Sequence, residues 1–237
     1  DAAGQLRFLD RRALFRQVRA GALSVGVRGG ARSLHEGRVN RLNTKHEPPA
    51  TPPWVDGRVL HFVRHGQYEI EASGSDRLTP LGRRQASRLA KHFARLPVAA
   101  VRSSDAVRAV ETADILAAGF GATRVTRHAA LREMLPARVP GVAIPRAELA
   151  EDALRLERVL EQFFRASQRI RHEILVCHGN LIRSLLLRVA AGRAAGFHRL
   201  LIHHAGVTSF SVSARGDVEV VSFNVLEHLP QKMRTYV

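Results

Sequence analysis

Arg64-His65-Gly66 and His178-Gly179 occupy matching places in this sequence: each follows an apolar run, and in each a histidine is followed at once by glycine. An imidazole can attack or exchange protons near neutral pH, and a guanidinium forks onto the oxygens of an anion. Another cation, Arg108, stands just beyond Ser103-Ser104-Asp105, and Glu133 in Leu131-Arg132-Glu133 offers a carboxyl. Two arginines and two histidines in one crevice repel one another unless an anion lies among them, and a phosphoryl group fits such a cradle. A neutral histidine can then attack phosphorus to form a covalent phosphoenzyme. Arginines and a protonated second histidine can stabilise charge on the equatorial oxygens. The leaving oxygen needs a proton, for which Glu133 is the best-placed acid, with Glu69 and Glu111 as competitors. Each nominee also has a plain structural alternative, as a surface arginine, a core histidine or a loop carboxylate.

This chemistry requires elements that deliver the residues to one place. Residues 58–64 read as a buried strand, with Gly66 allowing the turn that follows. Thr79 is an N-cap and Pro80 a first helical residue, opening a helix to about residue 96 that buries Ala86, Leu89, Ala90 and Phe93. A strand over 98–102 leads to Ser103-Ser104-Asp105. These cap a helix expected to bury Val107, Val110, Ala113 and Leu116 and to stop at Gly119. Residues 124–127 read as a third strand. A long helix over 146–167 should bury Leu149, Leu156, Leu160 and Phe163. Residues 173–177 form a fourth strand, followed by a helix over 181–190, and two strands over 207–213 and 217–224 close the chain. The alternation implies an α/β fold, a three-layer α/β/α sandwich on a mostly parallel sheet. Ligands in such sheets bind beyond the carboxyl ends of the strands, so right-handed crossovers would line up Arg64, His65, Arg108 and His178 along one edge. The helix starts after Ser104 and Gly179 would add N–H donors for an anion. Glu111 is expected to pair with Arg108 at i, i+3, whereas Arg183 is left open between assisting and solvated roles.

With 237 residues the chain can bury one full core plus an arm. Two units are expected: a basic N-terminal arm with a Pro-rich linker over 1–57, and a catalytic domain over 58–237. The arm holds ten Lys or Arg against five Asp or Glu. It reads either as a solvated or docking segment or as the remnant of an Arg-rich leader. The chain starts at Asp1, which leaves a removed leader or membrane anchor open. A net charge of +16 raises nucleic-acid binding, but the arginines are dispersed, aromatics make up 5%, and no nucleic-acid motif is present, so none is expected. No run approaches the ~18 apolar residues of a membrane span. Cys177 is the single cysteine and reads as a buried strand residue rather than a nucleophile. No metal or other cofactor is expected, because the histidines lack ligand spacing, and adjacent His203 and His204 would face opposite ways in an extended segment.

Five motifs appear in an order that resembles the histidine phosphatase (phosphoglycerate mutase-like) superfamily: Val-Arg64-His65-Gly66, Leu-Thr79-Pro-Leu-Gly82, Ser103-Ser-Asp-Ala-Val-Arg108-Ala-Val-Glu111-Thr112-Ala, Leu-Arg-Glu133 and Val-Cys-His178-Gly179-Asn180. They cover roughly 58–225. The resemblance implies His65 as the phosphorylated nucleophile, Arg64 and Arg108 as the phosphate clamp, His178 as the second histidine and Glu133 as the proton donor. Arg64, Arg108, Gly66, Gly179 and Asn180 are the implied substrate-binding set. Within the superfamily, Arg-His-Gly-Gln67-Tyr68, Gly179-Asn180-Leu-Ile-Arg183 and the tail Glu227-His-Leu-Pro230 with Lys232 and Thr235 are similar to the mitochondrial Ser/Thr phosphatase branch, phosphoglycerate mutase family member five. Gln67, Tyr68 and Glu71-Ala72-Ser73 stand where mutases carry their substrate-gripping residues, which counts against a mutase. The Trp-Asp repeat of that branch is reduced to Trp54-Val-Asp56. The resemblance implies a metal-independent phosphomonoesterase acting on a phosphorylated protein or peptide, placed in the mitochondrion with the cytoplasm as alternative, and leaves a homodimer open. A lid of only about a dozen residues before the long helix would keep the crevice accessible to a chain. The alternatives are a small-molecule phosphatase and a non-catalytic adaptor acting through the basic arm.

Overall fold

The computed structural model describes residues 57–69, 76–119, 124–135, 144–190 and 200–236. Its elements all lie in one unit, Thr51–Ala137 with Pro145–Val237. Residues 1–56, with nearly all of the expected arm and Trp54-Val-Asp56, fall outside the described residues, as do Glu71-Ala72-Ser73 and, within the expected lid between Glu133 and the long helix, 136–143.

The chain follows the order β1 (Arg58–Arg64), α1 (Pro80–Phe93), β2 (Val98–Ser103), α2 (Val107–Ala118), β3 (Val125–Arg127), α3 (Arg146–Phe163), β4 (Arg171–Cys177), α4 (Gly179–Val189), β5 (Val207–Val212) and β6 (Val218–Val225). The six strands form one sheet in the order β3-β2-β4-β1-β5-β6. β3, β2, β4 and β1 run parallel, while β5 and β6 join antiparallel at one edge. Every residue of β1 is buried, because the strand is central and covered on both faces. Leu60 and Phe62 point to one face, where they pack with Val159, Phe163, Leu181 and Leu185 of α3 and α4. Val63 points to the other, against Leu89, Phe93, Ala113 and Leu116 of α1 and α2. The three layers follow from this two-sided burial.

Register decides what the sheet delivers. Arg64 lies opposite Cys177, and Ser103 opposite Val176, so β1, β2 and β4 end level with one another. The residues just past those ends are stitched together: His65 N–H donates to the Cys177 carbonyl at 3.0 Å, and Ser104 N–H to that of Val176 at 2.8 Å. Beneath the turn, the start of α1 presses on the loop after β1. A Cβ on Gly66 would lie 2.7 Å from the Gly82 carbonyl oxygen, and one on Gly82 only 1.9 Å from that of Gln67. Both positions therefore demand glycine. Thr79 caps α1 by accepting the Gly82 N–H at 3.0 Å.

Several local expectations change. α1 stops at Phe93 rather than near residue 96. α2 is capped by Ala106 with no side-chain bond, and Ser104 Oγ instead accepts the Ala106 N–H at 3.3 Å, closing the turn before the helix. Val107 is 39% exposed, and the small Ala109 takes the buried place because the helix lies close to the sheet. α3 ends at Phe163, and its buried face centres on Asp152, Arg155, Val159 and Phe163, with Leu149, Leu156 and Leu160 only partly covered.

Neutral histidines fill part of the α1/α2 side. His61 bonds to Ser209 Oγ at 2.9 Å and to His172 Nδ1 at 3.0 Å. Burial, helped by His172 and His92, lowers its pKa to about 3, and burial with His92 lowers that of His228 to about 4. Unfolded, both would accept a proton near 6.5. The unfolded chain thus binds more protons between those values, and stability falls as pH drops through that window. Thermal melts from about pH 7 to about pH 4.5 should show a falling Tm, with a shallower slope in His61→Gln.

Candidate active site

Arg108 is the hub of a side-chain cluster beyond the ends of β1, β2 and β4. From the first turn of α2 its Nε donates to His65 Nε2 at 3.2 Å, and its Nη2 to His178 Nδ1, also at 3.2 Å. Nη1 bonds to Asp76 Oδ2 at 3.1 Å, and the guanidinium lies 4.7 Å from the centre of the Tyr68 ring. Thr112 supports it from the next turn, donating Oγ1–H to the Arg108 carbonyl at 2.7 Å and accepting the Gly66 N–H at 3.0 Å. Glu111 does not pair with Arg108. It binds Arg77, Arg83 and the Leu78 N–H instead, bracing the entry to α1.

Hydrogen bonds assign the tautomers of both imidazoles. His65 Nδ1 lies 2.8 Å from the Gly66 carbonyl, so it carries the proton and leaves the Nε2 lone pair facing Arg108. His178 Nδ1 accepts from Arg108, so Nε2 carries the proton and donates to Ser104 Oγ at 3.0 Å. The two ring centres are 5.1 Å apart. Burial, then Arg108, then His178, Arg64 and His204, hold the pKa of His65 well below the usual histidine value. Burial, Arg108, Arg64 and Arg155 do the same for His178. Each is neutral at physiological pH, so His178 is not the protonated second histidine expected from sequence and offers an Nε2–H donor. The unprotonated Nε2 of His65 is a nucleophile.

Arg64 is buried beside them, its Nη1 donating to the Ile202 carbonyl at 2.6 Å, with Gly179 packed along its side chain. Glu133 approaches from the loop after β3: its Oε1 accepts the Asn180 N–H at 3.0 Å. Asn180 Nδ2 donates to the Met134 carbonyl at 2.9 Å, and its Oδ1 accepts from Arg183 Nη1 at 2.7 Å. Arg183 is thus tied to the start of α4 rather than solvated. Glu69 is exposed. Cys177 is buried in the core, and burial raises its pKa, which argues against a thiolate. His203 and His204 diverge, the first to Asn224 and the second to Thr235. Among the described residues no group of three or more His, Cys, Asp or Glu could hold a metal ion, and no helix is long and apolar enough to cross a membrane.

Four participants went unnominated from sequence. Tyr68 lies edge-on to His65, with ring centres 5.0 Å apart, and only its place two residues after the Arg-His-Gly turn could have signalled it. His204 brings a third imidazole within 5.7 Å of His65. Gln85, fully buried in α1, accepts the Gln67 N–H at 2.8 Å and donates to the Met233 carbonyl at 2.7 Å, joining the nucleophile loop to the C-terminal tail. Asp76, Gln85 and His204 carry no local signal, since their partners come from distant segments.

Residues 60–152 match the family model described as histidine phosphatase superfamily (branch 1). The chain is 31% identical over 211 residues to "Serine/threonine-protein phosphatase Pgam5, mitochondrial" of Drosophila melanogaster, covering 83% of this chain and 72% of that protein. It is 29% identical over 187 residues to the protein of that name in Caenorhabditis elegans, covering 73% and 64%. Among solved structures, Bacillus stearothermophilus YhfR superposes with a TM-score of 0.58 at 19% identity, covering 73% of this chain and all of that one. The Entamoeba histolytica phosphoserine phosphatase in complex with 3-phosphoglyceric acid gives 0.57 at 19%, with the same coverage. These two likenesses establish the fold.

Proposed function

The chain belongs to the histidine phosphatase superfamily and is a phosphatase; on that footing we propose that it removes phosphate from phosphoserine or phosphothreonine in proteins through a phosphohistidine. The observation that carries the reading is one guanidinium, Arg108, bonded to His65 Nε2 and His178 Nδ1 at 3.2 Å each. An arriving phosphoryl group takes the place of these contacts, so that Arg108 and Arg64 turn to its oxygens and His65 Nε2 is left free to react. The Nε2–P bond forms as the P–O bond to the side-chain oxygen breaks, and Glu133 in its acid form gives that oxygen a proton. Water then attacks phosphorus and returns a proton to Glu133, which releases phosphate and restores His65. His178 and the arginines stabilise charge on the oxygens in both steps.

The protein substrate is supported by the names of the relatives above, which also support residence in the mitochondrion. The arm over 1–57 is proposed as a separate segment preceding the catalytic domain over 58–237. The test compares kcat/KM for phosphoserine and phosphothreonine peptides with that for small phosphorylated metabolites, without added metal. Peptides should be favoured by roughly 10-fold or more, a gain that contacts beyond the reacting centre can provide. A marked preference for one metabolite reverses the substrate assignment.

A further inference from the structure

Two buried charged residues on α3 face the loop that carries Glu133, and no step above uses them. Asp152 is 4% exposed and Arg155 7%. Arg155 Nη1 donates to the Arg132 carbonyl at 2.5 Å, and Nη2 to the Glu133 carbonyl at 2.8 Å. Arg155 Nη2 also pairs with Asp152 Oδ1, while Asp152 Oδ2 accepts the Leu135 N–H at 2.6 Å. One ion pair thus holds backbone groups on both sides of Glu133. From the opposite side, the Asn180 N–H meets the Glu133 carboxylate itself. The acid is suspended between α3 and the start of α4.

Stability alone does not account for this arrangement. The desolvation of a buried ion pair offsets most of its Coulombic gain, and apolar residues of similar volume commonly do as well or better. The pair sits at the centre of a helix face whose neighbours, Leu156, Val159 and Phe163, are apolar. Its hydrogen bonds are directed at the backbone of another segment, and that segment bears the acid. A general acid has to come within hydrogen-bond reach of the leaving oxygen. A displacement of about 1 Å can cost on the order of 100-fold in rate. The neighbouring Arg132 is also held, by a bidentate pair with Asp105 at 2.7 and 2.6 Å. That pair is half-exposed and grips the Arg132 side chain, whereas Arg155 is buried and grips the backbone carbonyls of Arg132 and Glu133.

We propose that Asp152 and Arg155 are positioning residues for Glu133, holding its backbone so that the carboxyl group meets the leaving oxygen. This rests on the phosphohistidine reading and adds the groups that set the acid's place.

The test measures kcat/KM, which reports transfer to the enzyme, for p-nitrophenyl phosphate and for a phosphoserine peptide. The aryl leaving group departs without a proton, whereas the alkyl one needs it. Arg155→Lys and Asp152→Asn should lower the peptide value about 10- to 100-fold and the aryl value less than about 3-fold. Glu133→Gln should give the same split, and adding it to Arg155→Lys should cost little more, since both remove one function. Asp152→Leu with Arg155→Met refills the space with apolar volume. It should melt no lower than wild type and still show the same split, with the peptide value falling far more than the aryl value. Equal losses on both substrates, full additivity with Glu133→Gln, or failure of all these variants to fold would make the pair architectural and overturn the proposal. A wild type inert toward both substrates would instead overturn the phosphatase reading beneath it.

Discussion

His65→Ala is expected to lower kcat for any phosphomonoester by about 10⁴-fold or more, because the atom that bonds to phosphorus is gone. Its orientation is built rather than incidental. The ring is 1% exposed, Nδ1–H is held by the Gly66 carbonyl at 2.8 Å, and Nε2 faces Arg108. His178 is oriented differently, with its Nε2–H on Ser104 Oγ and its Nδ1 toward Arg108. Brief mixing of wild type with labelled substrate, followed by an alkaline quench, should trap phosphate on the protein, and His65→Ala should trap none. Residual activity above about 1% of wild type would remove His65 from the mechanism.

Arg108→Ala should cost about 10³-fold in kcat/KM, the scale of losing a charged group aimed at developing charge. Arg108→Lys should recover little. An ammonium is a single point, whereas this guanidinium reaches His65, His178 and Asp76 at once through three nitrogens. The pH profile adds a readout that lost packing would not move. Arg108 is the largest charge holding the pKa of His65 below its usual value, second only to burial as a cause. Without it His65 takes up a proton more readily. The acid limb of kcat/KM, which reports loss of the neutral nucleophile, should therefore shift to higher pH. An unmoved limb would mean that His65 is not the titrating group.

How far the site could be read in advance differs from residue to residue. Arg64 ends a recognisable strand and His65 and His178 directly follow one, and the topology of a parallel sheet gathers strand ends on one edge. Gly66 and Gly82 were visible as glycines, but that they press on each other's loops is a fact of packing. Pairing was harder. Glu111 is one turn from Arg108, and local spacing favoured that partner, yet Arg77 and Arg83 arrive from α1 and capture it. α3 shows the same limit, since apolar periodicity finds Phe163 but cannot register a face built from Asp152 and Arg155. A buried charge has the letters of an exposed one until its partner is known.

By itself, the order of residues determined which segments became strands, which helices separate them, and which ends carry a cation or an imidazole. These depend on short-range propensity and on burial patterns of period 2 or 3.6. Only the tertiary structure decided that Arg108 would bridge two histidines 70 positions or fewer away, that Glu133 would hang between two helices, and that Asp152 and Arg155 would hold it there. Those outcomes turn on the register of β1, β2 and β4 and on which buried groups found partners, quantities that exist only once distant segments share one low-dielectric interior.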